Sequence, residues 1–112
     1  MADCLFCRIS SGEARADRVF EDEHAIAFRD INPAGPTHIL VIPRRHIATL
    51  ADLTPDDDAL VGHLHRVAVQ VARADGRSDF RVAVNCGAGA GQSVFHLHLH
   101  VIGGRSLAWP PG

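Results

Sequence analysis

The chain has 112 residues, of which 46% are hydrophobic and 21% are charged, and this size and balance predict one globular domain over residues 1–112. The formal net charge of −2 gives no basic surface for binding nucleic acid independently of its sequence. All 11 basic residues are arginine, and neither lysine nor tyrosine occurs, which excludes a Walker lysine, a Schiff-base lysine and a tyrosine nucleophile.

The first ten residues, MADCLFCRIS, contain no long apolar run. We therefore expect no signal peptide and no membrane-spanning helix, and a cytoplasmic location. Three cysteines are an odd number in a reducing compartment, which argues against a disulfide framework. The pair Cys4 and Cys7 has the spacing of a redox pair or of half a metal site, and two buried thiols are the third interpretation. The segment DCLFCRISSGE predicts a short helix that ends between Ser10 and Gly12.

Three strands are predicted in the next part of the chain. RVFED and AIAFRD are short apolar runs separated by acidic residues, a pattern typical of a hairpin. INPAGP contains two prolines and a glycine and must be a loop. THILVIP follows as a strand, because it is rich in branched residues and closes at Pro43.

A long helix is predicted after residue 54. Thr54 can cap it, Pro55 suits its first turn, and the acidic residues 56–58 complement the positive end of the helix dipole. Five apolar residues at helical spacing form one stripe: Leu60, Leu64, Val67, Ala68 and Val71. Asp75 and Gly76 end the helix. His63 and His65 lie off the stripe and are expected to be solvated or to contact a second subunit.

Two further strands, DFRVAVNCG and SVFHLHLHVIGG, flank the glycine-containing segment NCGAGAGQS. Several short strands and one long helix predict an α+β domain with a mainly antiparallel sheet. The helix should cover one face of that sheet, and the other face is then free to carry a site.

The last of these strands places His96, His98 and His100 at alternate positions. Side chains two residues apart share one face of a strand, and their Cα atoms are about 6.8 Å apart. We therefore expect the three imidazoles on one face. The residues expected in the core on the other face are Phe95, Leu97, Leu99 and Val101. Three interpretations follow: polar filling of a half-exposed strand, a catalytic zinc site, or covalent catalysis by one imidazole.

The segment before this strand favours covalent catalysis at phosphorus. Gly87, Gly89 and Gly91 allow backbone N–H groups to close around an anion. The segment lacks the GK[ST] ending of a Walker loop, and no helix follows it. Together with Gln92 and Ser93, it suggests a phosphate held beside a nucleophilic imidazole.

These residues resemble a known family. SVFHLHLHVIGG is similar to the H-x-H-x-H-x-x signature of the histidine triad (HIT) superfamily, in which each x is hydrophobic. FRDINPAGPTHILVIPRRHI, NCGAGAGQS and the final WPPG resemble the Hint branch, the histidine triad nucleotide-binding proteins. The four segments occur in order, and the similarity extends from Cys4 to Gly112.

The resemblance implies a HIT-like fold with a five-stranded antiparallel sheet, one long helix and a short N-terminal helix. It also implies a homodimer whose two sheets join into one continuous ten-stranded sheet. The implied activity is that of an adenosine 5′-monophosphoramidase, a hydrolase that cleaves P–N bonds of purine nucleoside phosphoramidates through a nucleotidyl-histidine intermediate. Purine nucleotides and a second copy of the chain are the expected partners, with no nucleic acid, no membrane and no cofactor required for catalysis.

The resemblance also assigns roles to residues. His98 would be the nucleophile, and His100, His38 and Ser93 would complete the catalytic set. The nucleotide-binding set would comprise Leu5, Phe6, Ile9, Asp30, Ile31, Asn85, Gly91, Gln92, Ser93, Val94, His98, His100 and Trp109. Asp30 would accept hydrogen bonds from the ribose, and Trp109 would reach the site of the partner subunit. Since His98 must attack through an unprotonated nitrogen, its other ring nitrogen should donate to a fixed acceptor, a backbone carbonyl of the same strand.

Relatives that carry the C-x-x-C pair bind zinc with two histidines. The matching residues imply a structural Cys₂His₂ site: Cys4, Cys7, His46 and His96. Such a site would explain why the first histidine of the triad is spared from catalysis. Two free thiols and an ordinary surface His46 are the alternative.

Two other functions stay open at this point. A dinucleoside polyphosphate hydrolase would use the same chemistry at phosphorus, but its leaving group is a nucleotide instead of an amine. A zinc-stabilised nucleotide-binding or scaffold protein would bind the same ligands without significant turnover.

Overall fold

The computed structural model describes residues 3–112 and confirms the α+β class. Its helices and strands, in chain order, are α1 Leu5–Ser11, β1 Arg18–Glu21, β2 Ala25–Arg29, β3 Thr37–Pro43, α2 Asp58–Ala74, β4 Phe80–Ala83 and β5 Leu99–Gly103. Within these described residues, no helix combines the length and apolar character that crossing a membrane requires.

The five strands form one antiparallel sheet in the order β1-β2-β3-β5-β4. The predicted hairpin is confirmed as β1 and β2. The order places β5 between β3 and β4, where His100 pairs with Leu40 and His38 pairs with Ile102. His38 and His100 are therefore diagonal neighbours on one face of the sheet, close enough for their side chains to meet.

The predicted long helix packs on one face of the sheet. Thr54 caps a single 3₁₀ turn, Pro55–Asp57, and the α-helix proper begins at Asp58. The buried residues of α2 are Leu64, Val67, Ala68, Val71 and Ala72. They meet buried side chains of the inner strands, among them Ile39, Val41 and Val101. The predicted apolar stripe is confirmed, and its burial drives the docking of α2, because each buried branched side chain contributes about 1.5–3 kcal/mol.

His63, on α2, is not simply solvated. Its Nε2 lies 2.6 Å from Oδ2 of Asp22, and its side chain is about two-thirds buried. This contact connects α2 to the turn between β1 and β2. His65 is exposed, as expected.

The opposite face of the sheet carries the candidate site, as expected, and is partly covered by α1. Helix α1 lies on it and buries Phe6 and Ile9 against Ile26, Phe28 and Leu40 in a second, smaller core. A helix of seven residues is too short to be stable alone, so this apolar contact is what holds it. The site on this face is therefore a cavity beneath α1 and its neighbouring loops.

The histidine-containing strand begins later than predicted. β5 starts at Leu99, and residues 94–96 form a bend. Phe95 is 46% exposed, whereas His96 is fully buried, so the predicted alternation fails at its first two positions. The chain turns here because the Leu97 N–H donates to the carbonyl of Ile47 at 2.6 Å. From Leu97 onward the expected alternation holds.

Asp75, immediately after α2, joins the helix to the sheet. Its Oδ1 accepts a hydrogen bond from Arg29 Nη2 at 2.7 Å, and its Oδ2 accepts one from Thr37 Oγ1 at 2.5 Å. Arg29 and then Thr37 are the main causes that lower the pKa of the Asp75 carboxyl to about 2. The ionised carboxylate thus stabilises the fold at neutral pH.

We expect Asp75→Asn to lower the free energy of unfolding at pH 7 by about 2 kcal/mol, because the substitution removes the ionised partner of Arg29. The pKa of Asp75 is lowered on folding, so its contribution is complete above about pH 4 and disappears as the pH falls towards 2. Urea denaturation at pH 7 and pH 2.5 measures both effects. Asp56→Asn, at an exposed position, is the control; equal losses in the two variants would contradict the prediction.

Candidate active site

A cavity of about 360 Å³ opens on the α1 face of the sheet. Its lining includes these residues of the predicted nucleotide-binding set: Leu5, Phe6, Ile9, Asp30, Ile31, Ser93, Val94, His98 and His100. Apolar side chains from α1 and β2 form one part of the wall, and polar groups of the histidine segment form the other. The cavity therefore combines an apolar surface with a few convergent polar groups, as ligand sites generally do.

The ring of His98 is held by a single fixed acceptor. Its Nδ1 lies 2.8 Å from the backbone oxygen of His96, and a carbonyl can only accept, so Nδ1 carries the proton. Nε2 of a neutral His98 then keeps its lone pair, on a side chain that lines the cavity. The predicted hydrogen bond to a backbone carbonyl of the same segment is confirmed. Phe6 packs edge-on against the ring, with centroids 5.1 Å apart.

The proton positions of His38 and His100 follow from a chain of hydrogen bonds. The Ala34 N–H donates to His38 Nδ1 at 2.9 Å, so the proton of neutral His38 is on Nε2. That nitrogen lies 2.9 Å from Nδ1 of His100, which must therefore accept, and neutral His100 carries its proton on Nε2. Nε2 of His100 is buried without a hydrogen-bond partner among residues 3–112. A buried donor without a partner costs free energy, and a ligand in the cavity could satisfy it.

Burial keeps both of these histidines neutral at neutral pH. Desolvation is the main cause that lowers the pKa of His100 to about 4, and the charged forms of His98 and His38 add to it. The pKa of His38 is also lowered by burial, against the opposing effect of Asp30, whose Oδ2 lies 3.4 Å from His38 Nε2. His100 is thus a neutral hydrogen-bond donor.

His100→Gln is expected to weaken the pH dependence of stability. The pKa of His100 falls from 6.5 to about 4 on folding, so the unfolded chain takes up a proton below pH 6.5 that the folded chain does not bind. Stability is therefore complete above pH 6.5 and decreases as the pH falls, by about 2 kcal/mol between pH 7 and 5 for this group.

Urea denaturation of both proteins at pH 7 and pH 5 checks this prediction. The glutamine variant should lose about 2 kcal/mol less than the parent protein over this interval. The exposed His65→Gln is the control and should behave like the parent. Parallel pH profiles of the parent and His100→Gln would contradict it.

The glycine-containing segment is folded on itself more than we expected. It forms one 3₁₀ turn, Ala88–Ala90, and the N–H groups of Gly87, Ala90, Gly91 and Gln92 all bond within the segment. At the cavity, the N–H groups of Ser93 and Val94 make no hydrogen bond within residues 3–112. Those two amides line the cavity and are available to an anion, whereas the N–H groups of Gly87 and Gly91 are already used.

The side chain of Gln92 has a structural task. Its Oε1 accepts from Gly87 N–H at 2.8 Å, and its Nε2 donates to the carbonyls of Ala48 at 2.8 Å and Val94 at 3.1 Å. Its hydrogen-bonding groups are therefore used within the loop. Asn85, whose amide would contact a Cβ placed on Gly91, shapes the same loop.

Four residues of the predicted nucleotide-binding set do not line this cavity: Asn85, Gly91, Gln92 and Trp109. Trp109 is 80% exposed, and the guanidinium of Arg81 lies 5.9 Å from its ring. Its predicted role in a partner subunit's site stays a prediction.

Sequence reasoning missed several lining residues: Arg15, Ala16, Phe28, Arg29, Asn32 and Leu40. Phe28 and Leu40 could have been found from the two-residue alternation of their strands, since they share a face with Ile26 and His38. The position of Arg15 had no comparable signal, because it lies in an irregular loop.

The four predicted metal ligands meet at the start of α1. The Nδ1 of His96 lies 3.4 Å from Cys4 Sγ and 3.6 Å from Cys7 Sγ, and His46 Nδ1 lies 3.3 Å from Cys7 Sγ. All four ligand atoms lie within 4.8 Å of one another. A tetrahedral zinc ion with ordinary bond lengths needs ligand atoms about 3.3–3.8 Å apart. His96 Nε2 also lies 2.7 Å from the Pro43 carbonyl, which fixes the ring so that Nδ1 faces the thiols. The residues fit zinc.

Comparison with known proteins places this geometry in a family. The family model described as "Scavenger mRNA decapping enzyme C-term binding" matches residues 3–108. An uncharacterised HIT-like protein of Synechocystis sp. is 48% identical over 111 residues, which cover 98% of this chain and 97% of that protein. The crystal structure of a HIT family hydrolase from Legionella pneumophila Philadelphia 1 is 48% identical, with a TM-score of 0.96, and the match covers 98% of this chain and 100% of that one.

The chain belongs to the histidine triad (HIT) family. The expected superfamily and fold are thereby confirmed, and the finer assignment to the Hint branch stays a prediction. A Zn-bound HIT family protein from Mycobacterium smegmatis is 38% identical, with a TM-score of 0.80; the match covers 93% of this chain and 76% of that one. Zinc is therefore compatible with this HIT fold, and the four ligands of this chain offer a site for it.

Proposed function

We propose that this HIT protein hydrolyses the P–N bond of purine nucleoside 5′-phosphoramidates through a nucleotide bound covalently to His98. The observation that carries the proposal is the complementary protonation of two rings in one cavity. His98 offers a lone pair on Nε2, because its Nδ1–H is bound to the His96 carbonyl. His100 offers an unpartnered N–H on Nε2. His98 therefore supplies a nucleophile, and His100 supplies a hydrogen-bond donor for the departing group.

In the first step, Nε2 of His98 attacks the α-phosphorus and the bond from phosphorus to the amine nitrogen breaks. The departing nitrogen accepts a hydrogen bond from His100 Nε2–H and takes up one proton from solvent, because loss of the proton from a neutral imidazole would leave an imidazolate anion. His38, hydrogen-bonded to His100 Nδ1 and 3.4 Å from Asp30, holds the His100 ring in this orientation. The products of this step are the free amine and a nucleotidyl-His98 intermediate.

In the second step, water attacks the same phosphorus. One water proton is released to solvent, the bond from phosphorus to His98 breaks, and the nucleoside monophosphate leaves. Both rings then have the protonation that they had at the start. The N–H groups of Ser93 and Val94 would hold the non-bridging oxygens, where each donor can contribute about 3 kcal/mol to the transition state.

The rest of the cavity suits a nucleoside. Phe6, Ile9 and Phe28 provide apolar surface for a purine ring. Asp30 lines the same cavity, with its Oδ2 3.4 Å from His38 Nε2, and can accept hydrogen bonds from ribose hydroxyls. We also propose that zinc bound by the two cysteines, His46 and His96 is structural, because those ligands leave no open coordination position for a substrate.

Mass spectrometry of the protein, quenched within the first turnover with AMP-phosphoramidate, tests the proposal. The expected result is a mass increase of one AMP that maps to His98. A diadenosine polyphosphate, offered in parallel, distinguishes the dinucleoside polyphosphate hydrolase, which would react faster with that substrate. Bound AMP without adduct or turnover with either compound would instead identify a nucleotide-binding protein and contradict the proposal.

The homodimer implied by the resemblance belongs to the same proposal. β4 lies at one edge of the sheet, and its outer backbone groups could pair with β4 of a second copy, since an open edge is a template for another strand. Light scattering coupled to size-exclusion chromatography should give the mass of two chains; the mass of one chain would contradict the dimer.

A further inference from the structure

We propose that the metal site positions the nucleotide cavity, so that binding of zinc and binding of nucleotide strengthen each other. This inference rests on the proposed function, because it requires a nucleotide in the cavity. Besides holding the metal, three of its ligands would then set the position of Phe6 and of the His98 ring: Cys4, Cys7 and His96.

The first connection runs through α1. Cys4 caps the helix, and its sulfur accepts the Cys7 N–H at 3.4 Å. The two metal ligands thus bracket the first helical turn, which contains Leu5 and Phe6, both in the cavity wall. Since a seven-residue helix has little stability of its own, a metal joining Cys4 and Cys7 to the sheet restrains the wall at this end.

The second connection runs through His96. Its ring lies 3.4–3.6 Å from the two sulfurs, and its carbonyl receives the hydrogen bond that orients His98. Phe6 packs edge-on against both rings, with centroids 5.9 Å from His96 and 5.1 Å from His98. One side chain therefore contacts a metal ligand and the proposed nucleophile at the same time.

The two connections have a thermodynamic consequence. A nucleotide that packs against Phe6 favours the position of α1 in which the four metal ligands converge, and zinc favours the position of α1 that completes the cavity wall. If zinc raises the affinity for nucleotide by some factor, nucleotide must raise the affinity for zinc by the same factor. We expect a factor of roughly 10, within the ordinary range for coupled sites.

Competition for zinc between the zinc-loaded protein and a chromogenic chelator, read at equilibrium, measures the coupling. Saturating AMP should raise the affinity of the protein for zinc about tenfold. In calorimetry, the affinity for AMP should fall by a similar factor after zinc has been removed. Equal zinc affinities with and without bound AMP would overturn the inference, even if the protein hydrolyses AMP-phosphoramidate as proposed. Failure of the zinc-loaded protein to bind AMP would contradict the proposed function itself.

Two variants make the test specific. Phe6→Leu keeps all four metal ligands and should bind one zinc ion, yet AMP should no longer raise its affinity for zinc. Cys86→Ser alters an exposed cysteine outside the metal site and should keep the full tenfold effect. The full effect of AMP on zinc affinity in Phe6→Leu would contradict the assigned role of this side chain and overturn the inference.

Discussion

His98→Ala is expected to reduce phosphoramidate hydrolysis by at least about 10⁴-fold, a loss typical for removal of an enzyme nucleophile. The physical reason is that Nε2 of His98 is the one protein atom in the mechanism that bonds to phosphorus. The apolar wall and Asp30 are unchanged, so AMP should still bind. Hydrolysis of an AMP-linked fluorogenic amine and calorimetry with AMP measure the two quantities separately.

The surface variant His65→Ala is the matched control for this experiment, since His65 is exposed on α2, and it should hydrolyse the substrate at the parent rate. Added imidazole should restore part of the activity of His98→Gly, because it can enter the space that the ring has left. An unimpaired rate of hydrolysis in His98→Ala would eliminate the covalent mechanism at His98. If this variant still gained the mass of one AMP, the nucleophile would have to be another residue.

Removal of zinc is expected to lower the melting temperature by roughly 10–15 °C. A ligand present at 100 to 1,000 times its dissociation constant stabilises a folded protein by about 3–4 kcal/mol, and in a domain of this size each kcal/mol shifts the melting temperature by about 4 °C. The ligands explain the size of the effect, since they join the start of α1 to His46, after β3, and to His96, before β5. Metal analysis of protein purified without chelator should give one zinc per chain.

Cys7→Ala should reproduce the effect of chelation, because it removes a ligand that contacts both His46 and His96. Cys86→Ala should melt like the parent protein and respond to chelator in the same way. Clearly substoichiometric zinc, together with a melting temperature that chelation does not change, would leave two free thiols as the correct interpretation of the C-x-x-C pair.

The relatives, at identities of 38–48%, share the HIT fold with this chain and include a HIT family hydrolase. The chemistry of this chain depends on the local geometry of His38, His98 and His100, which the adduct experiment addresses directly.

The amino-acid sequence by itself located the helices and strands, apart from the start of β5, and identified the reactive groups. The apolar stripe of α2, the hairpin, the C-x-x-C spacing and the alternation from Leu97 onward are signals within a few residues of one another, and local backbone geometry converts them directly into structure. The sequence predicted a carbonyl acceptor for His98 for the same reason, since that acceptor lies two residues away.

Only the tertiary structure decided which groups are available for chemistry. The bend before β5 turns His96 away from the cavity, the side chain of Gln92 is used inside its loop, and the Ala34 N–H sets the tautomers of His38 and His100. Arg15 lines the cavity and Asp75 forms a hydrogen bond with Arg29, and no local sequence pattern predicts either contact. Each of these contacts joins residues distant in sequence or placed by irregular loops, and its geometry is fixed by packing of the whole domain, which short-range propensity does not encode.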